Sequence, residues 1–437
     1  MSARAGMKLF WVAFLLTLVA GCARFRRLRE DLRFMEQSYT VTAVVDNPDQ
    51  LPDVYGAVVE WEDGAVHAAD FCQVGEVGLF GFRVYSAENQ YLLAFSDRNG
   101  NGLYDAAEPS WIHTGPDGKP AAVRVDEHQQ RSRMRGRLSA DEQLPVELVR
   151  AAYDFIGART ARDAATGLNI PIALGDIADL DDSKFEAARG SDGLWEPARF
   201  PLDVGIGIYF LEPYDPDKIP VLFVNGAAGS PQDWRIFFDE IDRDTYQPWF
   251  YLFPSGQALD QLATSLNYAV TVLQSYYGFE QLHVVAHSMG GLMSRGFLIK
   301  NVLEDGNRYI DTFVSITTPW GGHEAAAMGV KTSPGVVPSW RDMQMGSDYQ
   351  YAIFSRSLRH RVDSLLIYGF KSSRSFFLPK ENDGTVSVRS QTTPAALSEA
   401  DLVIGYDLDH VGILSDPDVI RDVEAFLGGD LRSAGKP

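Results

Sequence analysis

Hydrophobic and polar residues follow different patterns in the two halves of this chain. Between residues 39 and 140 they alternate in short runs, such as Val41–Val45, Gly56–Trp61 and Tyr91–Phe95, and clusters of Pro, Asp, Asn and Gly separate the runs. Alternation with a period of two is typical of half-buried strands. Several short strands at this spacing predict a small antiparallel β-sandwich.

From residue 219 onward, short continuous apolar runs alternate with stretches of helical spacing. The runs cover residues 221–224, 249–253, 282–286, 312–316, 365–368 and 402–404. Residues 259–277 have apolar positions at helical spacing and end at Gly278. Strands that alternate with helices favour right-handed crossovers and a mostly parallel sheet with flanking helices. The predicted fold class is therefore α/β, preceded by the small β-sandwich.

The first 22 residues have the pattern of an export signal. Two basic residues precede the apolar run Leu9–Ala20, which is too short to span a membrane. The run leads into Leu18–Cys22, which resembles a bacterial lipobox with Cys22 as the lipidated residue. An ordinary signal peptide and a short uncleaved anchor remain as alternatives. By resemblance to Gram-negative lipoproteins, Ala23 after the cysteine points to the outer membrane.

Residues 23–38 would then connect the lipid anchor to the body of the protein. The segment carries five arginines, at positions 24, 26, 27, 29 and 33. It could lie on anionic headgroups as a basic helix, or it could be a solvated stalk. Glu30 and Asp31 dilute the positive charge and favour the stalk.

Charge and cysteine content narrow the possible partners. The formal net charge is −20, which argues against nucleic acid as a partner. The second of the two cysteines is Cys72, so lipidation of Cys22 would leave no intramolecular disulfide. No further hydrophobic span follows the signal, so we expect contact with the membrane only through the N-terminal lipid.

One serine has the local sequence of a nucleophile. The strand predicted at residues 282–286 breaks at Ser288, and small residues, Ala286 and Gly290, stand two positions before and after it. Such a turn lets a serine hydroxyl project from the end of a sheet. Glycine is the usual residue at the position of Ala286.

A serine hydroxyl needs a base, and the base needs a group that orients it. His410 follows the last predicted strand, and Asp383 follows the strand before it. We therefore predict Ser288 as nucleophile, His410 as base and Asp383 as orienting acid, with Asp407 and Asp409 as alternative acids. The backbone N–H groups of Ala227 and Met289 are the candidate oxyanion donors.

Five segments in this order resemble the lipase and esterase branch of the α/β-hydrolase superfamily. They are Pro220–Gly226, Ala286–Gly291, Ile316–Gly322, Asn382–Gly384 and His410–Ile413. The resemblance covers roughly half the chain, from about Phe210 onward. It implies an α/β-hydrolase fold, a carboxylic ester substrate with an acyl chain, and no cofactor for catalysis. It also implies a cap over the serine at residues 321–361, although core helices would explain that segment equally well. Many relatives have histidine where this chain has Asn225.

A second motif lies in the β-rich half. Residues 97–108 fit the twelve-residue calcium loop, with oxygen ligands expected from Asp97, Asn99, Asn101, Asp105 and Glu108. A strand precedes the loop, whereas a helix precedes the loop of a sensor protein. We therefore expect a structural calcium, and a polar hairpin turn is the alternative.

These patterns divide the chain into consecutive segments. The predicted segments are a signal peptide at 1–22, a basic tether at 23–38, a β-sandwich at 39–140, a connector at 141–200 and a hydrolase domain at 201–430. The predicted activity is serine ester hydrolysis. An acyltransferase or amidase with the same triad, and an inactive scaffold with a hydrolase fold, remain as alternatives.

Overall fold

The computed structural model describes residues 23–62, 65–84, 89–100, 104, 108–124, 131–141, 144, 170–371 and 378–431. The predicted signal peptide with Cys22 lies outside these ranges. Within them the strands form one eight-stranded sheet and two smaller sheets.

The two smaller sheets form the N-terminal sandwich. Its strands are β1 (Tyr39–Asp46), β2 (Val54–Glu62), β3 (Ala65–Gln73), β4 (Leu79–Val84), β5 (Gln90–Ser96), β6 (Ser110–Ile112) and β7 (Arg131–Arg137). One sheet has the order β4-β1-β7 and the other β3-β2-β5-β6. Alternate residues of β1, such as Val41 and Ala43, pack against Val58 and Leu92 of the facing sheet. We predicted an antiparallel sandwich, but β7 runs parallel to β1. A parallel pair needs a long crossover connection, and a long segment precedes β7.

The large sheet has the order β15-β14-β13-β12-β10-β11-β9-β8. Its strands are β8 (Ile172–Ile177), β9 (Ile206–Phe210), β10 (Ile219–Val224), β11 (Tyr246–Leu252), β12 (Leu282–His287), β13 (Ile310–Ile316), β14 (Asp363–Gly369) and β15 (Leu402–Tyr406). Neighbouring strands are parallel except β9 and β11. The carboxyl ends of β10 to β15 therefore meet at one edge.

The large sheet starts earlier than the sequence pattern indicated. β8 lies inside the stretch 141–200, for which we predicted a connector. Its sequence hides the strand, because it is a partly exposed edge strand interrupted by Gly175 at φ +89°. β9 passes so close to it that a Cβ on Gly207 would lie 1.9 Å from the carbonyl oxygen of Ala173. Glycine is therefore required in β9 as well, and it weakens the strand pattern there.

Helices cover both faces of the large sheet. They are α1 (residues 23–36), α2 (Ala187–Trp195), α3 (Phe200–Asp203), α4 (Arg235–Glu240), α5 (Leu259–Tyr277), α6 (Met289–Leu298), α7 (Glu324–Thr332), α8 (Pro338–Met343), α9 (Asp348–Phe354), α10 (Val388–Gln391), α11 (Pro394–Glu399) and α12 (Pro417–Leu427). Leu222 and Val224 of β10 pack on the face that α5 and α6 cover, and Val221 and Phe223 pack on the opposite face with α4 and α12. No helix within the described ranges is both long and apolar enough to cross a bilayer.

Helix α1, which covers most of the predicted tether, packs against the α/β half of the chain. Leu28 and Asp31 are fully buried, and the ring of Phe25 meets the ring of Trp195 edge-on at 5.2 Å. The backbone N–H groups of Ala198 and Arg199 both donate to the Asp31 carboxylate, at 2.8 and 2.9 Å. The five arginines of this segment are exposed, and Arg27 pairs with Glu196 at 2.9 Å. Asp31, which we expected to dilute the charge of a stalk, instead fixes the helix to the fold.

The buried carboxylate of Asp31 should make stability depend on pH. Burial raises the pKa of Asp31 from 3.8 to about 6, although the two N–H donors and Arg83 act in the opposite direction. A pKa that is higher in the folded state means that stability falls as the pH rises from about 4 to about 6. We expect Asp31→Asn to gain stability relative to the native chain over this interval, by about 2–3 kcal/mol. Thermal unfolding midpoints of both proteins at pH 4 and pH 7.5 measure the difference.

Asp49→Asn is the matched control, because Asp49 is an exposed carboxylate of the sandwich. The difference in unfolding midpoint between Asp49→Asn and the native chain should be the same at pH 4 and pH 7.5. A constant difference for Asp31→Asn as well would mean that folding does not raise the pKa of this carboxylate.

Candidate active site

Ser288 lies on a strained turn between β12 and α6. Its backbone has φ 54° and ψ −128°, a region that residues other than glycine rarely adopt. Its N–H donates to the carbonyl oxygen of Ile316 on the neighbouring strand, at 2.8 Å. A Cβ on Gly290 would lie 2.5 Å from the carbonyl oxygen of Asn225, so only glycine fits there. Ala286 occupies the other small position and is fully buried.

The three predicted residues lie in hydrogen-bond contact. His410 Nε2 is 3.0 Å from Ser288 Oγ, and His410 Nδ1 is 2.7 Å from Asp383 Oδ2. A carboxylate only accepts, so the neutral imidazole carries its proton on Nδ1 and can accept from the serine at Nε2. The alternative acids do not take part in this contact, because Asp407 is exposed and Asp409 accepts the N–H of Gly412 at 2.8 Å.

Asp383 is fully buried and held from several sides. Its Oδ1 accepts the N–H groups of Thr385 and Val386, at 2.9 and 2.7 Å, and its Oδ2 accepts Gln391 Nε2 at 3.2 Å. The N–H of His410 donates to the Asp383 carbonyl oxygen at 2.8 Å. These bonds fix which oxygen faces the imidazole. Gln391 was not identified from the sequence, because a glutamine in the short helix α10 carries no motif.

His287, the residue before the serine, supports the backbone of the base. Its Nε2 lies 2.8 Å from the carbonyl oxygen of His410, so Nε2 must carry the proton. Burial, followed by the neighbouring His410, lowers the pKa of His287 to about 3. His287 therefore stays neutral at any ordinary pH, as expected for a packing residue rather than a second base.

The candidate oxyanion loop follows β10. Asn225 stands where many relatives have histidine. Its Nδ2 donates to the carbonyl oxygen of Gly229 at 2.9 Å, and this bond closes the loop. Ala228 has φ 56°, and its N–H donates to Ser255 Oγ at 3.0 Å. Ala227 lies between this anchored residue and Gly226, which packs on the serine. Met289 is the first residue of α6, so its N–H has no acceptor within the helix.

Gly226 leaves no room for a side chain beside the nucleophile. A Cβ there would lie 2.8 Å from Ser288 Cβ and 3.3 Å from Ser288 Oγ. We expect Gly226→Ala to displace the hydroxyl and lower kcat for an ester about 10- to 100-fold, because small misplacements of reacting atoms are costly. Steady-state hydrolysis of a p-nitrophenyl ester measures the loss. Gly75→Ala is the control, since a Cβ there meets nothing within 4 Å, and an equal loss in that variant would contradict the proposed geometry.

The segment predicted as a cap has both buried and exposed parts. Met343, Tyr349 and Ile353 belong to the core beside α6, and the Tyr349 hydroxyl donates to the carbonyl oxygen of Leu292 at 3.2 Å. Other side chains face outward, among them Met328, Met345 and Tyr351, of which Tyr351 is 71% exposed. Ser288 and His410 are themselves buried, at 9% and 7% exposure. The C-terminal part of the segment is therefore core, and α7 with its flanking turns remains the candidate cover.

The calcium loop is only partly described. Asn101 and Asp105 lie outside the described residues, and Asp97 and Glu108 are buried at the two ends of the loop. The N–H of Arg98 donates to Glu108 Oε1 at 2.7 Å. Among the described residues, no group of three His, Cys, Asp or Glu side chains is arranged to hold a metal. The calcium site stays a prediction.

Comparison with known protein families gives one match, within the α/β half of the chain. Residues 249–345, which include β12, Ser288 and α6, match the family model of lecithin:cholesterol acyltransferase. No curated protein shows significant similarity to the chain.

Solved structures with a related backbone include several lipases. The Bacillus licheniformis lipase BlEst2 is 18% identical in both its forms. In the propeptide form the TM-score is 0.40, with 49% of this chain and 51% of that chain covered. In the mature form the TM-score is 0.39, with 51% and 96% covered. Aspergillus fumigatus lipase B is 15% identical, with a TM-score of 0.39 and coverage of 51% and 55%. The chain thus spans about half the length of the propeptide form and of the Aspergillus lipase.

The strand order and the strained turn at Ser288 agree with the family match. Parallel strands β10 to β15 meet at one edge, β9 runs antiparallel beside β11, and the serine follows β12 at that edge. Helices lie on both faces of the sheet. The segment that matches the acyltransferase family model, residues 249–345, includes Ser288. The half of the chain from β8 onward therefore has an α/β-hydrolase-type fold.

Proposed function

We propose that this protein is a serine hydrolase that cleaves carboxylic esters carrying an acyl chain. The observation that carries the proposal is the continuous hydrogen-bonded chain from Ser288 Oγ through His410 to the buried carboxylate of Asp383. Such a chain raises the nucleophilicity of an otherwise unreactive hydroxyl. Its position on a strained turn at the carboxyl edge of the sheet favours catalysis over a structural role.

Each residue has a defined step in the proposed reaction. Ser288 Oγ attacks the ester carbonyl carbon while its proton passes to His410 Nε2, and Asp383 stabilises the resulting imidazolium. The N–H groups of Ala227 and Met289 donate to the developing oxyanion. The intermediate expels the alcohol, which takes the proton from Nε2. A water molecule then attacks the acyl-enzyme, gives its proton to Nε2, and releases the acid as Ser288 recovers its hydrogen.

We further propose an acyl or lipid ester as substrate and a lipid anchor at Cys22 in the outer membrane. Met328 in α7 and Met345 after α8 are exposed within the predicted cap, and flexible thioethers adapt to chains of variable shape. Helix α1 is described from residue 23, directly after Cys22, and it packs against the α/β half. A lipid anchor at Cys22 would therefore hold that half close to the bilayer.

Transfer of the acyl group to an alcohol is the second candidate. The family that matches residues 249–345 is described as an acyltransferase, and the triad forms the same acyl-enzyme whichever acceptor follows. An amidase would also use this triad, although no feature of the described site favours a nitrogen leaving group. An inactive scaffold would have no need for the strained serine and its hydrogen-bonded base.

Turnover of p-nitrophenyl esters of increasing chain length tests the proposal. We expect activity with medium or long chains to exceed that with acetate. A sharp preference for acetate would contradict the acyl-chain assignment, and no stoichiometric labelling of the folded protein by a fluorophosphonate would favour the scaffold. Analysis of products with long-chain alcohols present separates the two candidates, because a transferase forms new ester in preference to free acid.

A further inference from the structure

A cavity of about 110 Å³ lies between the sandwich and the hydrolase half. Its walls come from β1, β4 and β7 on one side and from β8, β9, β11 and α5 on the other. None of the triad residues or oxyanion donors lines it. The volume exceeds the roughly 10–15 Å³ that one water molecule needs, so the cavity has room for a small molecule.

Two arginines of strand β7, Arg131 and Arg133, line this cavity. The sequence of β7 alternates, so Met134 enters the sandwich core while Arg131 and Arg133 face α5. Arg131 Nη1 donates to Ser265 Oγ at 2.9 Å. Arg133 Nη2 donates to the carbonyl oxygen of Thr264 at 3.3 Å, and its guanidinium lies 4.5 Å from the centre of the Tyr268 ring. Both guanidinium groups thus contact α5 at the cavity wall.

The described lining contains three arginines and no carboxylate. This is unusual for a chain with 59 acidic and 39 basic residues. The third arginine, Arg83, is 5% exposed, donates from Nε to Ser38 Oγ at 2.8 Å and interacts with the carboxylate of Asp31, so the proposed site depends on the other two arginines. Guanidinium groups gathered in a partly enclosed space favour an anion with oxygen acceptors, which they can bind in a bidentate manner.

Much of the remaining wall is apolar, although Thr40, Thr42, Gln257 and Gln261 also line it. Leu79, Ile172, Leu174 and Leu262 line it, and their side chains offer hydrophobic contact beside the arginines. A neighbouring cavity of about 320 Å³ shares Arg133 and Tyr268 with the first. A free inorganic anion would leave the apolar wall unused. An ion with an alkyl tail would contact both kinds of wall.

We propose that this cavity binds an anionic amphiphile, a carboxylate or phosphate group carrying an alkyl chain, with Arg131 and Arg133 holding the charged group. The ligand is either a fatty acid or a phosphate-bearing lipid fragment, because both present the same acceptor oxygens next to methylene groups. Binding here does not require turnover at Ser288.

Calorimetric titration of the full chain with octanoate tests this site. We expect saturable binding that weakens at least about 10-fold in Arg131→Gln and Arg133→Gln, which corresponds to the loss of a charge-assisted hydrogen bond. Arg137→Gln is the matched control, since Arg137 lies on the same strand but does not line the cavity. Arg133→Lys should retain more binding than Arg133→Gln. Circular dichroism and thermal unfolding of each variant exclude loss of the fold as the cause.

Three further probes identify the ligand chemistry. Tighter binding of octyl phosphate than of octanoate supports a phosphate-bearing lipid, and the reverse order supports a fatty acid. Equal binding of 1-octanol would overturn the role of charge, and equal binding of inorganic phosphate would overturn the role of the tail. The proposal also fails if octanoate does not saturate, or if its affinity is the same in Arg133→Gln, which would indicate binding elsewhere, such as the acyl site beside Ser288.

Discussion

Replacement of Ser288 by alanine is expected to lower kcat for ester hydrolysis by roughly 10⁶-fold, with little change in stability. The variant lacks the oxygen that would form the acyl-enzyme, so the hydrogen bond at 3.0 Å to His410 Nε2 is lost with it. Residual activity should come only from the oxyanion donors and binding. Initial rates with a medium-chain p-nitrophenyl ester, together with fluorophosphonate labelling, measure both the activity and the loss of the covalent adduct.

Ser294→Ala is the matched control for this loss. Ser294 lies in α6, is fully buried, and its Oγ has no hydrogen-bond partner among the described residues. Removal of that hydroxyl should leave kcat within a few-fold of the native value. If Ser288→Ala kept more than a small fraction of the activity, another residue would have to be the nucleophile.

The candidate triad could be predicted because each member has a local signal. Ser288 is surrounded by small residues at the end of a strand, Asp383 lies in an Asn-Asp-Gly turn, and His410 follows the last strand. Parallel strands bring their carboxyl ends to one edge, so residues far apart in sequence meet there. The structure brings these three into contact through that edge.

Other features depend on contacts that no local pattern records. Phe25 lies in the segment that we predicted as a tether, but the ring it packs against, Trp195, lies about 170 residues away. Gln391 matters through a bond to Asp383 across a turn. The arginines of β7 have the pattern of an exposed strand face until α5 is placed opposite them. In each case the packing between distant segments, rather than local propensity, decides the role.

Asp383→Asn is expected to lower kcat by about 10⁴-fold without unfolding the site. Asp383 Oδ1 accepts two backbone N–H groups, from Thr385 and Val386, so an asparagine would keep its carbonyl oxygen there. Its amide nitrogen would then face His410 Nδ1 in place of Oδ2, as a donor. The imidazole would have to move its proton to Nε2, where it could no longer accept the proton of Ser288. The ester assay measures this loss, and KM should change little.

Asp409→Asn separates this orienting effect from a general loss of negative charge. Asp409 is adjacent to His410 in sequence, but it is exposed and accepts the N–H of Gly412 rather than the imidazole. We expect its replacement to change kcat only a few-fold. Comparable losses in the two variants would mean that net charge near the base, rather than a fixed carboxylate oxygen at Nδ1, activates it. A loss confined to Asp383→Asn, with Ser288 still labelled slowly but completely by a fluorophosphonate, would assign Asp383 the task of holding the tautomer, because the nucleophile would remain present while its base is misoriented.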